Sequence, residues 1–185
     1  MTDKSTATYG GLSRLNHWLG ALLFSGVILV GLYLAYSGVE GEERAPIMAM
    51  HRATGTVLLL FALWRVWWRI RQGFPAPMAG VPGWQITAAR VTHWGLIFCM
   101  LAMPLSGVFL MSLLGGRPIN IYGLFTIPPI MDIDGIRPIG RQIHGLVAYA
   151  FIALIGLHFL AALKHALIDR DGTLARMLSG RAAGV

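Results

Sequence analysis

Four long apolar runs, separated by stretches rich in proline, glycine and charge, organise the chain. They extend from about Leu15 to Tyr36, Pro46 to Ile70, Thr87 to Leu114 and Ile139 to Leu167. Each is as long as the roughly 20 residues a helix needs to cross a bilayer. None shows the strict alternation of a membrane β-strand. The pattern predicts an all-α fold: an integral membrane four-helix bundle, with residues 1–185 forming one transmembrane domain. The stretches "SGVEGEERAP", "RQGFPAPMAGVPGW" and "GGRPINIYGLFTIPPIMDIDGIRP" are predicted connections, because proline (Pro75, Pro118 and others) and glycine at this density punctuate helices. The last is the longest, and a structured connection of that length is more often functional than idle.

Lysine and arginine are spread unevenly around these spans. With the N-terminus inside, Lys4, Arg14, Arg65, Arg69, Arg71, Arg90, Lys164, Arg170, Arg176 and Arg181 lie on the inner side. Arg44, Arg52, Arg117, Arg137 and Arg141 lie on the outer side. This excess predicts that both termini are cytoplasmic. Trp18, Trp64, Trp67, Trp68, Trp84 and Trp94 then form a belt near the inner interface. The first apolar run is longer than the core of a signal peptide, so it is expected to stay as a span.

Composition narrows the class further. Hydrophobic residues make up 56% of the chain and charged residues 12%, which excludes a disordered protein and an ordinary soluble enzyme. One cysteine, Cys99, cannot form an internal bridge and is expected to pack in mid-span. A net charge of +7 would suggest nucleic acid in a soluble protein. Here the basic residues flank apolar runs, which fits membrane topology and lipid headgroups instead, with Arg176 and Arg181 expected to touch the headgroups.

The six histidines, His17, His51, His93, His144, His158 and His165, carry the chemistry. Ionisable groups inside a membrane are costly, so each suggests function. His144 and His158 are 14 residues apart on the fourth run. At about 100° per residue they fall within about 40° of one face, and about 21 Å apart along the axis. That spacing suits two redox centres stacked across one membrane. His51, near the outer start of the second run, is at the depth of His144. His17 and His93, near the inner starts of the first and third runs, are both at the depth of His158, and spacing does not choose between them. Two histidines can clamp one haem iron, filling both axial positions and favouring electron transfer. Gly20, Gly55, Gly145 and Gly156 would let a flat ring approach the helices, or the helices approach each other. His165 shares the face of His158 but lies at the inner surface, where it and His93 would suit a quinone headgroup or where its side chain would simply snorkel. A zinc or iron transporter is disfavoured, because no close cluster of histidines exists and the spans carry no acidic residue.

These residues resemble the bacterial di-haem cytochrome b-561 family, in particular its superoxide oxidase group. The resemblance rests on "SRLNHW", "MHRATG", "WRVWWR", "THWGLIFCMLAMPLSG", "GRPINIYGL", "IHGLVAYAFIALIGLHFLAALKH" and "DGTLARML", in order along nearly the whole chain. It implies two haem b groups, the inner iron held by His17 and His158 and the outer iron by His51 and His144. It places His93 and His165 at an inner quinone site. Arg90 stands where the family often has a further histidine, a departure that bears on the quinone site and not on the haems. The implied activity is oxidation of periplasmic superoxide in the bacterial inner membrane, with electrons passing from outer to inner haem and on to ubiquinone. Arg52, Arg117, Arg137 and Arg141 could steer the anion; the alternative is that they pair with haem propionates or with Asp132 and Asp134. A second reading is a cytochrome b module that exchanges electrons between the quinone pool and a redox protein partner. A third is a haem-free bundle.

Overall fold

The computed structural model describes residues 9–74, 76, 77 and 80–179; Lys4, Pro75 and Arg181 lie outside them. The four apolar runs form helices α1 (Gly11–Tyr36), α2 (Gly41–Gln72), α3 (Gly83–Leu105) and α4 (Ile136–Lys164). α3 continues as a wider π-helical stretch, Ser106–Leu113, and α4 as another, His165–Asp169. A short α5, Thr173–Leu178, follows. All four long elements have the length and apolarity to cross a membrane. α1 packs on α2, α2 on α3, and α3 on α4.

The polarity is that of a bundle in lipid. Large apolar side chains face outward, Leu22 with 72% of its surface free and Phe159 with 60%. Without a hydrophobic drive between helices, small and polar groups mediate close approach. Ser13, Asn16, Thr92, Ser106 and Ser112 are accordingly buried. The middle of the bundle is a dry cluster of Phe24, Leu58, Ala62, Cys99, Met100 and Phe151, so Cys99 is a packing residue as expected.

Four details differ from the sequence pattern. α2 begins at Gly41, not at Pro46. Glu42 and Glu43 occupy its first turn, where the positive end of the helix dipole favours them. Pro46 removes one backbone bond near the helix start without ending the helix.

The longest connection is not wholly loop. Strands β1 (Ile119–Ile121) and β2 (Phe125–Ile127) pair antiparallel, with Ile119 opposite Ile127. Three-residue strands are too short for alternation to register in the sequence. The turn between them holds Tyr122 at φ 52° and Gly123 at φ 78°, the left-handed pair of a tight hairpin. Ile119 and Ile121 pack with Ala53 and Leu59 of α2, and Tyr122 hydroxyl bonds Thr54 at 2.6 Å.

Pro104 sits inside α3 just before the π-helical stretch. A proline in a helix interior frees a carbonyl one turn earlier and loosens the ladder, and π-turns recur at functional sites. Finally, Arg176 does not reach out to headgroups. It is 5% exposed and donates to the Ala76 carbonyl at 3.3 and 3.2 Å. Its helix is held down by Trp18, which donates to the Met177 carbonyl at 3.1 Å.

Candidate functional site

The histidines gather at two levels of the bundle. At the hairpin end, His51 of α2 and His144 of α4 face each other with ring centres 6.2 Å apart. A metal–imidazole bond is about 2 Å and the ring centre lies about 1 Å behind the nitrogen, so two imidazoles on one metal have centres about 6 Å apart. The separation therefore fits one iron. Small residues make room for both rings. A Cβ on Gly31 would lie 3.2 Å from His51 Cε1, and one on Gly107 would lie 3.4 Å from His144 Cε1. His51 Nδ1 is buried with no hydrogen-bond partner among the described residues. Ser106 Oγ lies 2.9 Å from His144 Nδ1.

A cavity of about 1150 Å³ opens beside this pair. It is slightly larger than the usual range for ligand pockets, roughly 300–1,000 Å³. Gly55 and Gly145 line it, and a Cβ on either would meet open space. Arg52, Arg117, Arg137 and Arg141 line it too. None of these four arginines forms a salt bridge among the described residues, so the expected alternative pairing with Asp132 and Asp134 is not made. Among the described residues Arg52 donates to the Pro118 carbonyl, at 3.4 Å, and its Nε is buried without a partner. Arg44 and Glu40 line the cavity as well, so five guanidinium groups face one carboxylate across it, a surplus that suits anions, including the carboxylates of a haem.

At the other end, His158 touches two histidines. Its ring centre is 6.0 Å from that of His17 and 5.4 Å from that of His93. Phe74 stacks on His93 at 5.4 Å, and the Arg69 guanidinium lies over the Phe74 ring at 4.8 Å. Arg65 donates to His17 Nδ1 at 3.3 Å and also to the Asn16 carbonyl. A guanidinium only donates, so in this arrangement Nδ1 of His17 accepts. Metal ligation through Nε2 of His17 then requires its proton to move to Nδ1 and Arg65 to let go.

His165 stands apart. No ring contact or hydrogen bond links it to His93; its Nδ1 lies 2.6 Å from Asp171 and 3.2 Å from Asp169. Burial by itself would raise the Asp171 carboxyl. The Thr173 amide and hydroxyl and the His165 ring outweigh it and hold the carboxyl below its ordinary value. The three side chains are close enough to grip a cation, but Lys164 Nζ already lies 2.5 Å from Asp169.

Phe151 lies midway along α4 between His144 and His158, seven residues from each, and its ring meets Phe24 edge to face at 5.9 Å. With the buried cluster around them, these rings form an apolar septum between the two levels.

The histidine levels follow from spacing on each helix. The supporting residues do not. Ser106, Gly31, Gly107 and Arg65 carry no such sequence signal as histidine supports, because each contacts a histidine on a different helix. Of the four glycines that the sequence marks, Gly55 and Gly145 face the cavity. Gly20 instead meets Phe61 and Arg65 across to α2.

Comparison with known proteins places this arrangement among its relatives. The family model described as prokaryotic cytochrome b561 matches residues 8–180. "Cytochrome b561 homolog 2" of Escherichia coli (strain K12) is 32% identical over 173 residues, covering 92% of this chain and 90% of that protein. "Cytochrome b561 homolog 1" of the same organism is 29% identical over 166 residues, 89% and 93% of the two chains. The "Probable superoxide oxidase CybB" of Yersinia pestis is 29% identical over 164 residues, 88% and 90%.

Proposed function

The chain belongs to the prokaryotic cytochrome b561 family, and on that premise we propose that it is a superoxide:ubiquinone oxidoreductase of the bacterial inner membrane carrying two haem b groups. Membership makes it a multi-pass membrane electron-transfer protein with haem b. The observation that carries the finer reading is the presence of two histidine pairs at iron-clamping separation, 6.2 and 6.0 Å, at opposite ends of one bundle. A haem held by such a histidine pair would exchange single electrons rather than bind oxygen.

In this reading His51 and His144 hold the outer group and His17 and His158 the inner one. The hairpin end faces the periplasm and both termini face the cytoplasm, in line with the distribution of lysine and arginine. Arg52, Arg117, Arg137 and Arg141 supply positive field at the outer mouth, where superoxide is drawn in and the carboxylates of the outer group are held. The apolar septum of Phe24 and Phe151 stands between the two levels. His93, backed by Phe74, and His165, oriented by Asp171, serve the quinone at the inner side. Two superoxide anions release two electrons and leave as two oxygen molecules; one quinone takes both electrons with two protons and leaves as quinol. The similarity to the probable superoxide oxidase of Yersinia pestis supports superoxide as the electron donor.

The test is a reduced-minus-oxidised spectrum of the purified protein before and after a pulse of superoxide, followed by added quinone. Two b haems that superoxide reduces and quinone reoxidises are expected. Haems that ignore superoxide but accept electrons from quinol would move the protein to an electron carrier between the quinone pool and a protein partner. A colourless protein would sink both readings.

A further inference from the structure

Ser106 is 4% exposed and opens the π-helical stretch that follows Pro104. Its hydroxyl oxygen makes two contacts, one to the Met103 carbonyl at 2.8 Å and one to His144 Nδ1 at 2.9 Å. A hydroxyl owns one proton. If that proton went to His144, the Ser106 oxygen and the Met103 carbonyl would face each other at 2.8 Å as two lone pairs, which repel. If it goes to Met103, both contacts are satisfied: Ser106 donates to the carbonyl, and its oxygen accepts from Nδ1–H of His144. Only the second assignment works. It leaves the proton of the neutral ring on Nδ1 and the lone pair on Nε2.

The backbone explains why a serine sits there. The widened turn begins at Ser106 itself, and the next residue is Gly107, whose missing side chain lets the His144 ring lie against α3. The contrast with the other rings is informative. His51 Nδ1 has no partner among the described residues, and His17 Nδ1 faces a donor, Arg65. Among the four histidines of the two pairs, His144 is the one whose tautomer a fixed hydrogen bond already sets for metal binding.

We propose that Ser106 is a positioning residue for the outer haem: through the chain His144 Nδ1–H to Ser106 Oγ to Met103 carbonyl, it holds His144 with Nε2 free to ligate iron. This rests on the reading of His144 as an axial ligand. Residues that orient a metal-binding imidazole through its other nitrogen typically change metal affinity by about 10–100-fold when removed.

The experiment compares the full-length protein with Ser106→Ala and Ser106→Thr. Ring-¹⁵N spectra of labelled protein produced without haem report the His144 tautomer directly; transfer of haem to apomyoglobin then reports how tightly each site holds its haem. We expect the Nδ1–H form in the wild type, a mixture in S106A, and recovery in S106T, which keeps the hydroxyl. Haem loss from the outer site is expected to rise about 10–100-fold in S106A and to return toward wild type in S106T, with the inner site unchanged. A wild-type His144 carrying its proton on Nε2, or an S106A protein with unchanged outer haem retention, would overturn the proposal. If the protein takes up no haem at all, the functional reading falls and this role with it, while the nitrogen spectra still report whether Ser106 sets the ring.

Discussion

Replacing His17 or His93 by alanine separates the two neighbours of His158. Both rings reach it, with centres at 6.0 and 5.4 Å. One iron between two imidazoles sets the centres about 6 Å apart. His17 meets that separation without moving its ring, needing only a change of tautomer and the release of Arg65. His93 sits too close, and moving its ring away disturbs its stack with Phe74, at 5.4 Å and an interplanar angle of 9°. The stacked Phe74 is in turn backed by the Arg69 guanidinium at 4.8 Å. Retreat therefore means displacing a packed stack, and overpacking of that kind costs about 1–3 kcal/mol. Converted at about 1.4 kcal/mol per decade, it disfavours His93 as the ligand by roughly five- to a hundredfold. On the proposed reading of two haems per chain, H17A is expected to lose the inner one and keep one. H93A is expected to keep both haems and to weaken quinone-dependent reoxidation. Haem per protein, measured as the pyridine complex, gives the count, and the retained outer haem in H17A is the control for folding. An H93A protein with one haem beside an H17A protein with two would refute the reasoning.

Two further outcomes follow from the structure. Arg117→Glu and Arg141→Glu each reverse an exposed charge on the outer cavity; superoxide-driven haem reduction should slow by up to about tenfold in each, and the wild-type rate should fall with added salt. Pulse radiolysis at two ionic strengths measures this, and a wild-type rate indifferent to salt would count against steering. Asp171, whose carboxyl lies below its ordinary value of 3.8, stabilises the His165 junction and the start of α5 above that value, and the contribution disappears as pH falls through the folded value. Hydrogen exchange of residues 173–178 should therefore be slow at neutral pH and accelerate as pH falls below about 4, whereas Asp171→Asn should exchange fast at both.

The family relationship and the histidine levels have different origins in the chain. Apolar runs of membrane length and histidines 14 residues apart on α4 are properties of single helices. Helical periodicity converts them directly into spans, depths and a shared face. The hairpin of Ile119–Ile127 was not legible as structure, because its strands are three residues long and owe their stability to packing on α2. Arg176 differs from its sequence expectation for a related reason: a charged residue near α5 looks solvated until that helix folds back and the Ala76 carbonyl receives it.

What the sequence by itself determined is the set of four spans, the two levels of histidines and the basic residues clustered about them, since each depends on residues within one helix or on its ends. What only the tertiary structure decided is which rings touch, that Arg52, Arg117, Arg137 and Arg141 make no salt bridge among the described residues, and that Ser106, Gly31 and Gly107 shape the histidine seats. Those facts depend on how far apart the helices pack and how each is rotated. They are set by contacts between residues distant in the chain, such as Ser106 with His144 and Gly31 with His51, which no local periodicity encodes.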